Sequence, residues 1–179
     1  MIAYAITDPS TLNFQALTTD IERFATRADM IVYRDKASSS YAFNAKLFLE
    51  EAREYAFQKV LLHGDYKLAH KLKADGVHLT STQFDDIEKA KELGLFVVVS
   101  THTLEEIQLV DNTTADMITF SPIFVTPNKG EPKGIEMLEK VAYYMSKPVI
   151  ALGGILTEEQ IKLCEHSGAK GFASIRYFK

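Results

Sequence analysis

Two spacings of apolar residues alternate along this chain. Short apolar runs recur, and between them apolar residues stand three or four positions apart, as in Phe14, Leu17, Ile21 and Phe24. The runs predict buried β-strands, and the wider spacing predicts helices that bury one face. The predicted strands are Ile2–Ile6, Met30–Tyr33, Val60–Leu62, Gly76–Leu79, Phe96–Val99, Met117–Phe120, Val149–Leu152 and Gly171–Ser174. Helices are predicted at 14–24, 41–56, 68–72, 84–93, 104–110, 135–145 and 157–166.

Strand and helix alternate throughout, with short connections. This order is typical of a parallel sheet built from βαβ units, and eight such units predict a closed (β/α)₈ TIM barrel formed by a single domain, 1–179. A short repeat supports the barrel, because an Ala-Asp or Ala-Lys pair enters the even strands at Ala28, Ala74, Ala115 and Ala169. A period of two fits a barrel whose interior layers draw on alternate strands.

The predicted barrel is small and its closing helix is truncated. Only five residues, 175–179, follow the eighth predicted strand. We therefore expect the first and seventh helices to expose an apolar seam. A partner subunit could cover such a seam, which leaves a homodimer open.

Composition and charge exclude several classes of function. The net charge of −4 favours neither nucleic acid nor a membrane surface as a partner, so any positive patch would be local and would suit a small anionic ligand. The single cysteine, Cys164, excludes an internal disulfide. No apolar run approaches the length of a membrane span, and no basic leader precedes the first strand. These features predict a cytoplasmic protein.

The seventh predicted strand ends in a glycine pair, Gly153-Gly154, and a helix capped by Thr157 follows. Glycines at a strand end let the backbone turn sharply and let a ligand approach bare N–H groups. The pair therefore fits either a phosphate cradle or an ordinary tight turn. The two interpretations stay open on this stretch alone.

Other polar residues also follow predicted strands, at the barrel end where TIM-barrel active sites form. Arg34 and Lys36 follow the second strand, and Lys129 lies in the long loop after the sixth. Three cations at one mouth would bind a phosphate or a carboxylate. Three of the five histidines lie at strand ends as well, namely His63, His78 and His102.

Three motifs resemble the thiamine phosphate synthase/TenI superfamily of small TIM barrels. They are Gly76-Val77-His78-Leu79, the segment from Ser121 to Lys129, and the segment from Val149 to Ile155. Tyr33-Arg34-Asp35-Lys36 is similar to the strand-two motif of that superfamily. The resemblance covers nearly the whole chain except the last helix. It implies one of two activities. A synthase joins a pyrimidine pyrophosphate to a thiazole phosphate with magnesium, whereas a TenI-type enzyme moves a proton and aromatises a thiazole carboxylate phosphate.

Departures from the synthase pattern favour the second activity. Gly64 and Gln83 stand where the resemblance places magnesium carboxylates, and Val32 replaces a glutamine on the pyrimidine side. Magnesium is a hard cation that prefers carboxylate ligands, so no metal and no cofactor is expected unless synthase activity is retained. His102 matches a histidine of TenI-type members and could both take and return a proton. An alternative role for His102 is that of a helix N-terminal residue near the mouth.

These arguments predict a TenI-like protein that binds a small phosphorylated heterocycle and isomerises it with His102 as the catalytic residue. The residues predicted to bind substrate or phosphate are Arg34, Lys36, Ser100, Thr126, Asn128, Lys129, Gly153, Gly154, Ala173 and Ser174. His63 and His78 are further candidates, with a structural role open for His78. The alternatives are a divergent thiamine phosphate synthase and a non-catalytic binding protein that regulates the pathway.

Overall fold

The computed structural model describes all 179 residues and contains a closed eight-stranded barrel. Every neighbouring pair of strands is parallel, and the last strand pairs with the first. The predicted (β/α)₈ barrel is confirmed. The strands are β1 Ile2–Ile6, β2 Met30–Tyr33, β3 Lys59–His63, β4 Gly76–Leu79, β5 Phe96–Thr101, β6 Met117–Phe120, β7 Val149–Leu152 and β8 Gly171–Ser174.

Seven α-helices surround the barrel. They are α1 Leu17–Ala25, α2 Tyr41–Ala52, α3 Tyr66–Lys71, α4 Ile87–Glu92, α5 Leu104–Asp111, α6 Gly134–Tyr144 and α7 Glu158–His166. Three 3₁₀ turns complete the fold, at Phe14–Ala16, Phe84–Asp86 and Arg176–Phe178. None of these helices is long and apolar enough to cross a membrane.

Several elements differ in their limits from the sequence prediction, such as β3, which gains one residue at each end. Two of the differences have a clear physical cause. The second helix ends at Ala52 rather than at residue 56, because the amides of Glu54 and Tyr55 bond three residues back and close a tight turn. Strand β5 extends to Thr101, since Ser100 and Thr101 pair with Thr119 and Phe120 of the next strand. Polar strand ends of this kind carry no apolar signal, so periodicity misses them.

The apolar residues form two separate layers, one inside the barrel and one between the barrel and the helices. Alternation along each strand divides them, so that Tyr4 and Ile6 point into the barrel while Ala5 faces the helices. The barrel interior is filled by nine buried residues: Tyr4, Ile6, Met30, Val32, Leu61, Val98, Met117, Ile150 and Ala173. The barrel is therefore a packed core below its open end.

The Ala-Asp repeat has a specific structural role. The carboxylates of Asp29, Asp75 and Asp116 accept 2.7 Å hydrogen bonds from the backbone amides of Ala3, Val60 and Val97. Each aspartate thus ties the start of an odd strand to the even strand that follows it in the sheet. These strand-to-strand hydrogen bonds account for the aspartate in three of the four pairs, whereas the fourth pair has Lys170 at that position.

The final 3₁₀ turn occupies the place of a closing helix. Phe178 is fully buried, stacks on Phe172 with ring centres 5.9 Å apart, and lies 6.4 Å from the ring of Phe24 on α1. Arg23 of α1 donates to the backbone carbonyl of Phe178, and its guanidinium lies over the ring of Phe24. The predicted apolar seam is therefore wrong: one aromatic side chain fills it. A homodimer therefore stays a prediction, and an exposed seam no longer supports it.

Candidate active site

A cavity of about 420 Å³ opens at the carboxyl ends of the strands. Most residues predicted from strand ends line it: Arg34, Lys36, His63, His78, Ser100, His102, Thr126, Lys129, Gly153, Gly154 and Ser174. Asn128 and Ala173 do not line the cavity. Asn128 is exposed, with a positive φ of 58°, and Ala173 is buried in the barrel interior. The lining contains four cations, three histidines and no carboxylate.

The glycine pair turns left-handed, with φ of 102° at Gly153 and 69° at Gly154. A Cβ at Gly153 would lie 2.8 Å from the Cα of Pro122, and one at Gly154 would lie 2.6 Å from the carbonyl oxygen of Val125. The loop after β6 thus packs directly against bare glycine backbone, and only glycine fits both the space and the dihedral angles.

Three backbone N–H groups at this edge of the cavity are free. The amides of Gly153, Gly154 and Ile175 donate no backbone hydrogen bond, although all three residues line the cavity. Unbonded amides at the ends of β7 and β8 would suit a cradle for an anion. The cradle interpretation of the glycine pair therefore has geometric support.

The hydroxyl of Ser174 is bonded within the protein rather than free to bind a phosphate. Its Oγ donates to the carbonyl of Ile155 at 2.9 Å and accepts from the amide of Tyr177 at 3.2 Å. The side chain is buried and joins the β7–α7 loop to the final turn. Any contribution of Ser174 to anion binding would come from its backbone.

The cations of the lining come from the ends of β2 and β8 and from the loop after β6. Arg34 and Lys36 follow β2, Lys129 reaches over from the loop after β6, and Arg176 follows β8. None of them forms an ion pair with a carboxylate. The pKa of Lys36 is lowered, first by the positive charge of Arg34, then by burial and by Lys129. Unpaired positive charges close enough to lower the pKa of Lys36 favour an anionic ligand between them.

His78 and His63 form the floor of the cavity. Nδ1 of His78 lies 2.9 Å from the hydroxyl of Tyr4, and Nε2 lies 3.0 Å from Oγ of Ser100. Burial lowers the pKa of His78 well below its ordinary value, and His63 and Arg34 add to the effect. Burial, Arg34 and Lys36 likewise lower the pKa of His63 to about 4. Both rings are therefore neutral near pH 7, and His78 serves as a hydrogen-bonded part of the barrel interior.

His102 is held differently. Its Nδ1 lies 3.1 Å from the carbonyl oxygen of Ser121 and 3.1 Å from the Oγ of the same residue. A carbonyl oxygen only accepts, so the bond to it requires a proton on Nδ1, while Nε2 has no hydrogen-bond partner in the protein. The backbone amide of His102 donates to Glu106 on α5 at 2.6 Å, which fixes the start of the loop. The arrangement suits a base in the cavity wall.

The residues at the expected magnesium positions do not fit a metal. The Gln83 amide donates to the carbonyl of Gly64 at 2.7 Å, and its Oε1 accepts from the amide and the hydroxyl of Thr80 at 3.1 Å. The nearby Asp65 caps α3 by accepting from the amide of Leu68. No cluster of three histidine, cysteine or acidic side chains in the chain could hold a metal ion.

Sequence reasoning missed several apolar residues of the lining and four polar or charged ones, Thr80, Ser81, Thr82 and Arg176. The three hydroxyl residues directly follow β4, so the strand-end rule that found the other candidates would also have found them. Arg176 lies within the last five residues, where the sequence predicted no complete element.

The chain was compared with known families, proteins and structures. The family model described as thiamine monophosphate synthase matches residues 3–178. A putative thiamine-phosphate synthase 2 of Aquifex aeolicus is 38% identical over 122 residues, which is 66% of this chain and 65% of that protein. A thiamine-phosphate synthase of Limosilactobacillus reuteri is 27% identical over 90% of this chain and 83% of its own length.

Solved structures agree with the sequence comparisons. A thiamine phosphate pyrophosphorylase from Pyrococcus furiosus superposes with a TM-score of 0.82 at 26% identity, over 97% of this chain and 85% of that one. FabK from Thermotoga maritima has a TM-score of 0.78 at 16% identity, over 99% of this chain and 59% of its own length, and so shares the fold alone. The match of the family model over nearly the whole length places this chain in the thiamine monophosphate synthase/TenI family.

Proposed function

We propose that this protein binds a phosphorylated thiazole and moves a proton within it, with His102 as the acid and base. The observation that carries the proposal is the position of His102. Its Nδ1 is bonded to Ser121, and its ring belongs to the wall of a cavity that also contains the amide cradle and the cations. A tautomerisation requires a group that both accepts and donates a proton, and one anchored imidazole can do both.

The proposed step needs no external reactant. Nε2 of neutral His102 takes a proton from one atom of the heterocycle, and the bonding pair left behind shifts through the ring. The imidazolium then returns the proton to a second atom, which yields the aromatic tautomer. A histidine suits both transfers because its ordinary pKa lies near neutrality. The phosphate would lie on the amides of Gly153, Gly154 and Ile175.

Synthase activity is the second candidate. The names of the similar proteins favour it, because the Aquifex aeolicus, Limosilactobacillus reuteri and Pyrococcus furiosus proteins are all described as making thiamine phosphate. The cavity of this chain weighs against it, since the lining lacks the carboxylates that would hold magnesium and a pyrophosphate together.

One set of assays tests the candidates. The purified protein is given the thiazole carboxylate phosphate tautomer, and aromatisation is followed by its absorbance change. We expect His102→Ala to lower kcat by roughly 10²- to 10⁴-fold. Binding of inorganic phosphate should stay within about twofold, because the imidazole is not part of the amide cradle. His166→Ala is the matched control, since His166 is exposed on α7 and its ring bonds only to its own helix.

The outcomes separate the candidates. Turnover retained in His102→Ala contradicts the acid–base role. Thiamine phosphate formed from the two synthase substrates and magnesium supports the second candidate instead. Ligand binding without either reaction indicates a non-catalytic protein.

A further inference from the structure

The side chain of Gln83 connects the loops after β3 and β4. At one end its Nε2 donates to the carbonyl of Gly64 at 2.7 Å. At the other end its Oε1 accepts from the backbone amide and the hydroxyl of Thr80, each at 3.1 Å. The orientation of the amide is determined by these partners, because Gly64 offers only an acceptor and the Thr80 amide only a donor.

The same two positions, Gly64 and Gln83, are those at which the family resemblance places magnesium ligands. In this chain they bond directly to each other, so a donor N–H group of Gln83 faces the Gly64 carbonyl. An N–H donor repels a cation, and a divalent cation held by both residues would have to displace it. Asp86 does not change this, since its Oδ2 lies 3.5 Å from the same Nε2 and accepts from it.

We propose that the Gln83 amide replaces a divalent cation between these loops, and that the cavity binds phosphate groups without a metal. The bridge holds Thr80, and with it the hydroxyl-lined wall from Thr80 to Thr82, against the end of β3. The positive charge that a metal would supply comes instead from the unpaired side chains of Arg34, Lys36, Lys129 and Arg176. This proposal depends on the proposed function in one respect, namely that the ligand carries a phosphate.

The first test measures binding of inorganic phosphate to the wild-type protein by calorimetry, in EDTA and in millimolar magnesium. Inorganic phosphate is the probe because it associates only weakly with magnesium in solution. We expect the two dissociation constants to agree within about twofold, since no metal takes part. Affinity that falls about tenfold or more in EDTA would overturn the proposal.

The second test converts the bridge into a cation site. Gln83→Glu places a carboxylate oxygen where the amide nitrogen lies, next to the Gly64 carbonyl and the Asp86 carboxylate. Three oxygens would then converge, with the ammonium of Lys89 on the other oxygen of Asp86 as the one neighbouring cation. A hard divalent cation stabilises a cluster of oxygens of this kind. We expect magnesium or calcium to raise the Tm of this variant by roughly 3–8 °C. Gln83→Ala removes the bridge without adding an oxygen, so its Tm should not respond to either metal.

Each result decides for or against the amide bridge. A wild-type Tm that rises with magnesium as much as that of Gln83→Glu would contradict the proposal. So would a Gln83→Glu variant that is as stable as wild type in EDTA and ignores both metals. The readouts are binding and Tm, so a failure of the isomerase assay leaves this inference standing. A failure of phosphate to bind would count against the proposed function, while the Tm responses would still test the bridge.

Discussion

Gly153 and Gly154 show how two residues without side chains create a binding surface. Their positive φ angles turn the chain away from β7, and the loop after β6 fills the space where side chains would lie. Their N–H groups remain unbonded within the protein and lie at the cavity. Because these residues have no Cβ, the chain can turn here, and the loop with Thr126 and Lys129 can pack close to the anion cradle.

Gly154→Ala should disturb both the fold and the cradle. The new Cβ would lie 2.6 Å from the carbonyl oxygen of Val125 at a φ of 69°, so the loop must move. We expect a loss of about 1–3 kcal/mol in the free energy of unfolding, measured by urea denaturation, together with weaker binding of inorganic phosphate. Gly130→Ala is the control. It lies in the loop after β6, on which the Cβ at position 154 would press, and a Cβ at Gly130 itself meets nothing within 4 Å. Equal stability of the two variants would contradict this account.

The histidines illustrate how burial assigns different roles to one residue type. His78 is 3% exposed and bonds through both ring nitrogens, whereas His102 bonds through Nδ1 alone. Burial lowers the pKa of His78, which disfavours uptake of a second proton by its ring. Of the two, His102 is the one suited to proton transfer.

At the scale of elements, the final turn shows that a barrel can close without a complete last helix. A helix contributes to a TIM barrel mainly through the apolar face that it buries. Here Phe178 supplies that face, between Phe24 of α1 and Phe172 of β8. Arg27, just after α1, has its guanidinium 4.3 Å from the ring centre of Tyr177 and adds a contact between this turn and the first helix–strand connection.

Phe178→Ala should therefore destabilise the whole barrel. The side chain is completely buried, and its removal would leave a cavity between α1 and β8. We expect a loss of about 3–5 kcal/mol in the free energy of unfolding. Tyr143→Ala provides the comparison, since Tyr143 is 80% exposed and its truncation should change stability by less than about 0.5 kcal/mol. Urea denaturation of both variants measures the difference, and similar midpoints would show that the turn is dispensable.

At the scale of the whole molecule, charge is distributed unevenly. The chain carries a net charge of −4, yet its cavity is lined by four cations and no carboxylate. A concave site that is lined by charges of one sign concentrates the electric field. The acidic surface elsewhere therefore does not prevent an anion from binding there. Net charge alone would therefore give a misleading picture of the ligand.

Phosphate binding should follow the local charge rather than the net charge. We expect the affinity for inorganic phosphate to fall as sodium chloride is raised, because the cations at the mouth are partly exposed and salt screens them. Lys129→Gln should weaken binding by roughly 3- to 10-fold at low salt and reduce the salt dependence. Lys46→Gln is the matched control, since Lys46 pairs with Glu50 on the outer face of α2. Equal effects of the two substitutions, measured by calorimetry, would show that only net charge matters.

The sequence by itself determined the architecture and most of the cavity lining. Apolar runs that are buried on both faces have a strong local signal, so six of the eight strands were predicted with the observed limits at both ends, among them β2, β4 and β7. The carboxyl ends of parallel strands meet at one end of a barrel, and that rule alone brought Arg34 and His102 to one cavity. These predictions succeeded because they depend on periodicity and chain direction.

Only the tertiary structure decided how individual groups are bonded. Nothing near Ser174 in sequence shows that its hydroxyl is bonded to Ile155, 19 residues away, and nothing near Gln83 shows its bond to Gly64. The same holds for Phe178, which meets Phe24 from the far end of the chain. Hydrogen bonds and packing between distant segments have no local pattern, and they determine which N–H groups and ring nitrogens remain free for a ligand.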